Sequence, residues 1–256
     1  MNYRTAAFVL LTTLVMSSCN LFRPEFMEPI PGTLRVEVAL AWNGTPHALG
    51  QVAPDHLGHP VRLDNLQLYV APVELRDAEG QWQAIGDVFL VDFSEHSPTL
   101  ILTVAPGTYD AVRLGLGLPG ELNTAIDPAS YPNSHPLSVL GSAGMFWTWA
   151  SGYIFVKYEG KFALEAGQQL SEPLSYHCGT DASYRMVDFE LGTPLTIATQ
   201  AITEAKLTLD AANALVGTND SINLAVDPVT HNANGDSLGG RMMDLLVDAW
   251  EFELVE

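Results

Sequence analysis

Apolar and polar residues alternate along most of the chain beyond its first thirty residues. In the segment TLRVEVALAW, every second position from Leu34 to Leu40 is apolar, and this period of two is typical of a strand with one buried face. Similar runs follow, separated by turn-favouring clusters of Gly, Pro, Asp and Asn. They are LQLYVAPVEL, WQAIGDVFLVDF, TLILTV, TYDAVRLGLGL, GYIFVKYEGKFAL, LSYHC, RMVDFEL, LTIAT and EAKLTL. Strands at this spacing predict an all-β fold, a β-sandwich or a barrel-like sandwich.

Three places depart from this alternation. Pro72 interrupts LQLYVAPVEL, and because proline has no backbone N–H, we expect an edge strand or a bulge there. Residues 119–144 are rich in Pro, Asn and Ser and show no period; loops of this length are uncommon and often functional. Near the C-terminus the period becomes helical, which predicts one short amphipathic helix packed on a sheet. The apolar stripe of that helix is Met242, Leu245, Leu246, Ala249 and Trp250.

The N-terminus has the order of a lipoprotein signal. Arg4 precedes an apolar run of about a dozen residues, and two serines then lead to Cys19. The run is too short for a membrane-spanning helix, which needs about 20 apolar residues. We therefore predict a cleaved signal peptide over residues 1–18, a lipid on Cys19, a tether over 19–32 and a single β domain over 33–256. Asn20 gives no inner-membrane retention signal, so the expected location is the cell envelope, at the outer membrane or a periplasmic face.

Charge narrows the classes of partner. The 256 residues include 11 Lys+Arg and 30 Asp+Glu, a formal net charge of −19. A protein that binds a nucleic-acid backbone needs a basic surface, so nucleic acid is excluded as a partner. Cations, neutral molecules such as sugars and basic proteins remain.

The chain has two cysteines, Cys19 and Cys178. If Cys19 carries lipid, no disulfide within the chain is expected, and the fold depends on its core alone. Cysteine outside disulfides is usually buried, and we expect this of Cys178.

No catalytic signature is present. The sequence lacks H-E-x-x-H, G-x-S-x-G, a P-loop and C-x-x-C. His177 and Cys178 are adjacent, but consecutive side chains of a strand point to opposite faces and cannot act together. The run THNANGDSLGGR lacks the first and last ligands of a calcium loop and is interpreted as a turn at Asn234–Gly235. We therefore do not expect an enzyme.

One region carries a resemblance to a known family. The run MFWTWASGYIFVKYEG, preceded by LGLGLPGELN and followed by SYHCGTDASYR, resembles the MbnP family of periplasmic copper-binding proteins. The resemblance covers most of the chain from about residue 33 to 252. It implies a β-sandwich that binds copper for storage or delivery. It also implies oxidation of a tryptophan to kynurenine by a partner di-haem peroxidase similar to MauG, with the new aniline nitrogen joining histidines at the metal.

Carried to this sequence, the resemblance gives specific candidate residues. The expected copper ligands are His177, His135 and His231, and imidazole nitrogen suits copper. The candidates for oxidation are Trp147 and Trp149. The remaining histidines are expected outside the site, with His56 and His59 in a solvated loop and His47 and His96 on the surface.

An alternative function stays open at this point. The aromatic cluster of Trp147 and Trp149 resembles a stacking platform for sugar rings, as in a structural or carbohydrate-binding surface module. Exposure of either tryptophan away from histidines favours that alternative. Ring nitrogens of His135 and His177 within roughly 4 Å of a common point favour copper. Placement of these two histidines at opposite ends of the sandwich would exclude that pair as ligands.

Overall fold

The computed structural model of the protein describes residues 29–95, 98–124, 126–148, 151–232 and 237–255. Within these ranges two β-sheets enclose one large core, and one helix of eleven residues lies near the C-terminus. The predicted all-β sandwich with a short C-terminal helix is therefore confirmed. The strands are β1 (Gly32–Trp42), β2 (Thr45–Pro46), β3 (Val52–Pro54), β4 (Pro60–Asp77), β5 (Trp82–Gly86), β6 (Phe89–Asp92), β7 (Thr99–Val104), β8 (Gly107–Leu116), β9 (Phe146–Thr148), β10 (Gly152–Phe162), β11 (Glu172–Gly179), β12 (Arg185–Ile197), β13 (Ile202–Asp210), β14 (Val229–His231) and β15 (Trp250–Leu254); the helices are α1 (Gly120–Asn123) and α2 (Ser237–Val247).

The two sheets differ in size. In the described part of the chain the smaller sheet has the order β15-β13-β1-β2, with β7 also paired to β1. The larger sheet has the order β12-β8-β4-β10-β11-β14, and β3, β5 and β6 also pair with β4 while β9 pairs with β10. The long strand β4 thus organises the larger sheet, and the short strand β14 lies beside β11 in parallel register.

The core follows from the period of two. Leu34 on the smaller sheet and Leu68 on the larger sheet are fully buried in the same cluster, and burying one such side chain contributes about 1.5–3 kcal/mol. Helix α2 adds Met242 to this core. The expected burial of Cys178 is confirmed: its Sγ lies 3.8 Å from Met242 Sδ.

Two details differ from the sequence-based expectations. Pro72 lies in the central strand β4, where the pairing with β8 shifts register between Val70 and Val73; the bulge is confirmed and the edge strand is wrong. The predicted helical stripe is too long, because α2 ends at Val247 and Trp250 belongs to β15. The alternating run WEFEL pairs with β13. The hydrogen bonds of this pairing stabilise a strand here more than continuation of the helix would.

Several predictions fall outside the described residues. They concern the signal peptide and Cys19, His96, Trp149 and the Asn234–Gly235 turn. Among the residues that the structure describes, none of the helices has the length and apolar character needed to cross a membrane.

The aperiodic stretch after β8 packs on the outer face of the larger sheet. We call residues 119–124 and 126–148 the covering segment. It contributes Leu137 and Met145 to a second buried cluster, with Tyr69 of β4 and Tyr153 of β10. The hydroxyl groups of Tyr69 and Tyr153 donate hydrogen bonds to the backbone carbonyls of Pro136 and Leu137. These contacts explain how a stretch with little regular structure is held in one place.

Candidate metal centre

A row of polar side chains crosses the outer face of the larger sheet beside the covering segment. Cross-strand pairing aligns Asp92 with Gln67, Gln67 with Lys157, Lys157 with His177, and His177 with His231. Alternate residues of a strand point to opposite faces, so the buried neighbours of these positions enter the core while the row points outward. Five adjacent strands thereby present one continuous polar strip.

The strip ends in a pair of histidines. His177 on β11 and His231 on β14 are cross-strand partners in parallel register. Their imidazole rings stack with centroids 4.6 Å apart and planes 20° apart. The structure thus brings together two of the three histidines predicted as ligands, although they are 54 positions apart in the sequence.

Glu159 of β10 holds the first of these rings. Its Oε1 lies 2.6 Å from His177 Nε2, and its Oε2 accepts a hydrogen bond of 2.8 Å from Asn65 Nδ2. The His177 side chain is 15% exposed and that of Glu159 is 33% exposed. This carboxylate was not among the predicted site residues.

Burial and hydrogen bonding set the charge of this pair. Burial lowers the pKa of the His177 imidazole below its ordinary value, and the neighbouring Glu159 carboxylate only partly offsets the effect. Burial alone would raise the pKa of Glu159, but hydrogen bonds from His177 and Asn65 outweigh it and hold that pKa low. The pair at neutral pH is therefore a neutral imidazole beside a carboxylate, and a neutral imidazole is the form that binds metals.

Trp147 packs against Gly179, the last residue of β11. A Cβ placed on Gly179 would approach the Cζ3 atom of Trp147 to 2.6 Å, so the six-membered ring of the indole lies against this glycine. Gly179 follows His177 by two residues, roughly 7 Å along the strand. On the neighbouring strand β10, the Nζ of Lys157, the cross-strand partner of His177, donates a hydrogen bond of 3.0 Å to the carbonyl of Gly144 in the covering segment.

His135, the third predicted ligand, lies in a separate groove. Its ring stacks on Tyr131 at 4.2 Å, and its Nδ1 accepts a hydrogen bond from the backbone N–H of Leu137. Burial lowers its pKa, with a smaller opposing effect from Asp87. The groove meets β4 at Pro72, five residues beyond Gln67 of the polar row and thus roughly 16 Å along the strand. The structure does not bring His135 to the other two histidines.

The other histidines that the structure describes are more enclosed than expected. His59 is part of a turn built on buried Asp55, whose carboxylate lies 2.9 Å from His59 Nδ1. Both ring nitrogens of His56 are buried, and His47 packs at a tilt on Trp42. The solvated loop for His56 and His59 is therefore wrong: the Asp55 carboxylate holds the His59 ring in the turn, and the ring nitrogens of His56 are buried.

The donor chemistry of the pair fits copper. Two imidazoles suit this metal, and a ligating histidine commonly donates its other ring N–H to a carboxylate. Glu159 places such a carboxylate 2.6 Å from Nε2 of His177. Within the described ranges, no group of three or more His, Cys, Asp or Glu side chains is arranged to hold a metal ion. A metal at this place would be held by His177 and His231.

These features define a class: a β-sandwich with a histidine pair and a half-buried tryptophan on the outer face of its larger sheet. The family model of MbnP matches residues 31–233, a range that includes both histidines. The chain belongs to the MbnP family, and this membership indicates an MbnP-type function.

Structural comparison agrees at the level of the fold. The chain is similar to MbnP from Methylosinus trichosporium, with a TM-score of 0.57 and 18% sequence identity over 88% of this chain and 99% of the other. Likeness at this identity concerns the fold alone. No curated protein sequence matches the chain.

Proposed function

We propose that this protein binds copper in the cell envelope, for storage or delivery, through His177 and His231. The observation that carries the proposal is the stacked pair itself, with centroids 4.6 Å apart on neighbouring strands. Family membership supports the metal, and the neutral state of His177 supports its role as a nitrogen donor. When bound, copper would supply redox and ligand-exchange chemistry. The protein's own residues hold and orient the donors, and we propose a binding role without catalysis.

We further propose that a tryptophan near the pair is oxidised to kynurenine by a di-haem peroxidase. Trp147 is the better supported candidate, because its ring lies on Gly179, two residues from His177 on the same strand. The nearby position would let the aniline nitrogen of a kynurenine at position 147, which is the former indole nitrogen, join the two imidazoles. Trp149 stays a candidate from the sequence.

Trp147 also bears on the sugar-binding alternative. The ring is half-buried and packs with the second buried cluster, and a platform for sugar rings needs an open aromatic face. This position favours the copper-binding proposal over a surface module.

We propose that Cys19 carries the lipid that places the protein at a membrane of the envelope, with the outer membrane favoured by Asn20. The proposal rests on the order of Arg4, the apolar run and Cys19. Fractionation of cells expressing the wild-type chain and a Cys19→Ala variant tests it. We expect the wild type in the membrane fraction, with a lipidated N-terminal peptide by mass spectrometry. Equal recovery of wild type and Cys19→Ala in the soluble fraction would contradict lipid attachment.

Copper retention tests the binding proposal. Protein purified from cells that express the full chain is first analysed by peptide mass spectrometry to record the state of Trp147 and Trp149. It is then loaded with Cu(I), dialysed and analysed for metal, in wild type and in His177→Ala. His47→Ala is the matched control, because it removes an imidazole outside the pair.

We expect about one copper per wild-type and His47→Ala chain, as for a single two-histidine site, and loss of this copper in His177→Ala. A wild-type protein that retains no copper contradicts the proposal. Equal retention in His177→Ala contradicts the site.

A further inference from the structure

We infer that Glu159 is a positioning residue for this centre: it fixes which nitrogen of His177 is left to bind. The inference rests on the proposed function and extends it to Glu159, which contacts His177. In this proposal only the imidazoles bind the metal. Its basis is the short contact between Glu159 Oε1 and His177 Nε2, at 2.6 Å.

The chemistry of the contact selects one tautomer. An ionised carboxylate only accepts hydrogen bonds, so a neutral His177 carries its proton on Nε2 where Glu159 faces it. The lone pair then lies on Nδ1. Nδ1 is therefore the nitrogen that remains available as a metal ligand.

The carboxylate is itself held from its other side. Asn65 Nδ2 donates a hydrogen bond of 2.8 Å to Glu159 Oε2, and Asn65 and Glu159 are cross-strand partners between β4 and β10. Rotation of the carboxylate away from His177 would break this bond. The two contacts thus form a hydrogen-bonded chain from Asn65 through Glu159 to His177, across three neighbouring strands. The register of the sheet sets the geometry of this chain.

Loss of the carboxylate has two expected effects. The neutral ring can place its proton on either nitrogen, and its orientation is less restricted. Removal of such outer partners of ligating histidines typically costs about 10–100-fold in metal affinity. A graded response is expected, because glutamine still offers a neutral acceptor of the same size and alanine offers none.

The test compares wild type, Glu159→Gln and Glu159→Ala. The matched control is Glu172→Gln, which removes the same charge from the strand that carries His177 without touching its ring. Two quantities are measured on the purified full chain. Long-range proton–nitrogen NMR of the metal-free protein identifies the tautomer of His177, and competition with a chromogenic chelator gives the Cu(I) affinity.

We expect the Nε2–H tautomer in wild type and in Glu172→Gln, and a mixture of tautomers in both Glu159 variants. We expect the affinity to decrease in the order wild type, Glu159→Gln, Glu159→Ala, by about 10–100-fold overall. An unchanged tautomer and affinity in Glu159→Ala would overturn the inference. Because the tautomer is measured without metal, a wild type that binds no copper overturns the proposed function, while a tautomer lost in the variants still supports the orienting role of Glu159.

Discussion

The indole of Trp147 lies directly against the α-carbon of Gly179. A side chain at position 179 would place its Cβ 2.6 Å from Trp147 Cζ3 and 2.5 Å from the carbonyl oxygen of Tyr153. Both distances are shorter than real Cβ contacts, so glycine is required here by close approach. The absence of a side chain makes room for the tryptophan beside the histidine-bearing strand.

Replacement of Gly179 by alanine should therefore displace Trp147. We expect the free energy of unfolding to fall by about 1–3 kcal/mol, as is typical of overpacking, together with a red-shifted tryptophan fluorescence. Urea denaturation and emission spectra measure the two effects. Gly192→Ala is the matched control, because a Cβ at position 192 of β12 meets open space. Equal stability and emission in the two variants would contradict the packing described for Trp147.

The different environments of His231 and His135 predict different effects of their substitution on the Cu(I) affinity. His231 stacks on His177, whereas His135 stacks on Tyr131 in another groove. We expect His231→Ala to lower the Cu(I) affinity by at least about 10-fold, a loss of roughly 1.4 kcal/mol, and His135→Ala to leave it within about twofold. Chelator competition measures both. The reverse pattern would assign the site to the covering segment.

The sequence predicts the strands well because their alternation directly reflects burial on one face. It also gives His177 and His231 as candidate ligands, although only through resemblance to a family and together with His135. The partner Glu159 could not be found in this way. The alternation in FVKYEG predicts that Glu159 lies on the outer face of the sheet, but it does not indicate which outer residue contacts His177. The pairing of Glu159 with His177 depends on the register between β10 and β11, which residues distant in the sequence determine. For the same reason, spacing alone could not separate His135 from the other two histidines.

Burial of Cys178 predicts a protected thiol. Its side chain is 0% exposed and lies in the core beside Met242. We expect no reaction of Cys178 with a polar thiol reagent in the native protein and complete reaction of this residue after denaturation. Ser175→Cys is the control, since position 175 is only partly buried on the opposite face of β11 and should react in the native state. Rapid labelling of Cys178 in the native wild type would contradict its placement in the core.

The same burial predicts a stability effect. Cys178→Ser would place a hydroxyl in an apolar site, and we expect a loss of about 1–3 kcal/mol in the free energy of unfolding. Urea denaturation of the variant and of the Ser175→Cys control measures it. A loss of similar size in both proteins would show that burial of Cys178 is not the cause.

Arg113 on β8 forms an ion pair with Asp188 and also packs on Trp82. It donates two hydrogen bonds, of 2.6 and 2.7 Å, to the carboxylate of its cross-strand partner Asp188. Its guanidinium carbon also lies 3.9 Å from the centroid of the Trp82 ring. The hydrogen bonds from Arg113 hold the pKa of Asp188 below its ordinary value, against a smaller opposing effect of burial. The contact therefore links folding to the ionisation of Asp188.

The sign of the pH dependence follows from that lowered pKa. A depressed carboxyl pKa stabilises the fold above the ordinary value of about 3.9, and the contribution is lost as the pH falls through the lower folded-state value. We expect Arg113→Met to lower the free energy of unfolding at pH 7 by about 1 kcal/mol, since an exposed ion pair and a cation on an aromatic ring each contribute modestly. The difference from wild type should narrow between pH 4 and pH 2, as Asp188 takes up a proton and its charge no longer attracts Arg113. Urea denaturation across this range measures it, with Arg35→Met, which removes a more exposed pair with Glu204, as the control. A difference that stays constant from pH 7 to pH 2 would assign the effect of Arg113 to its packing on Trp82 alone.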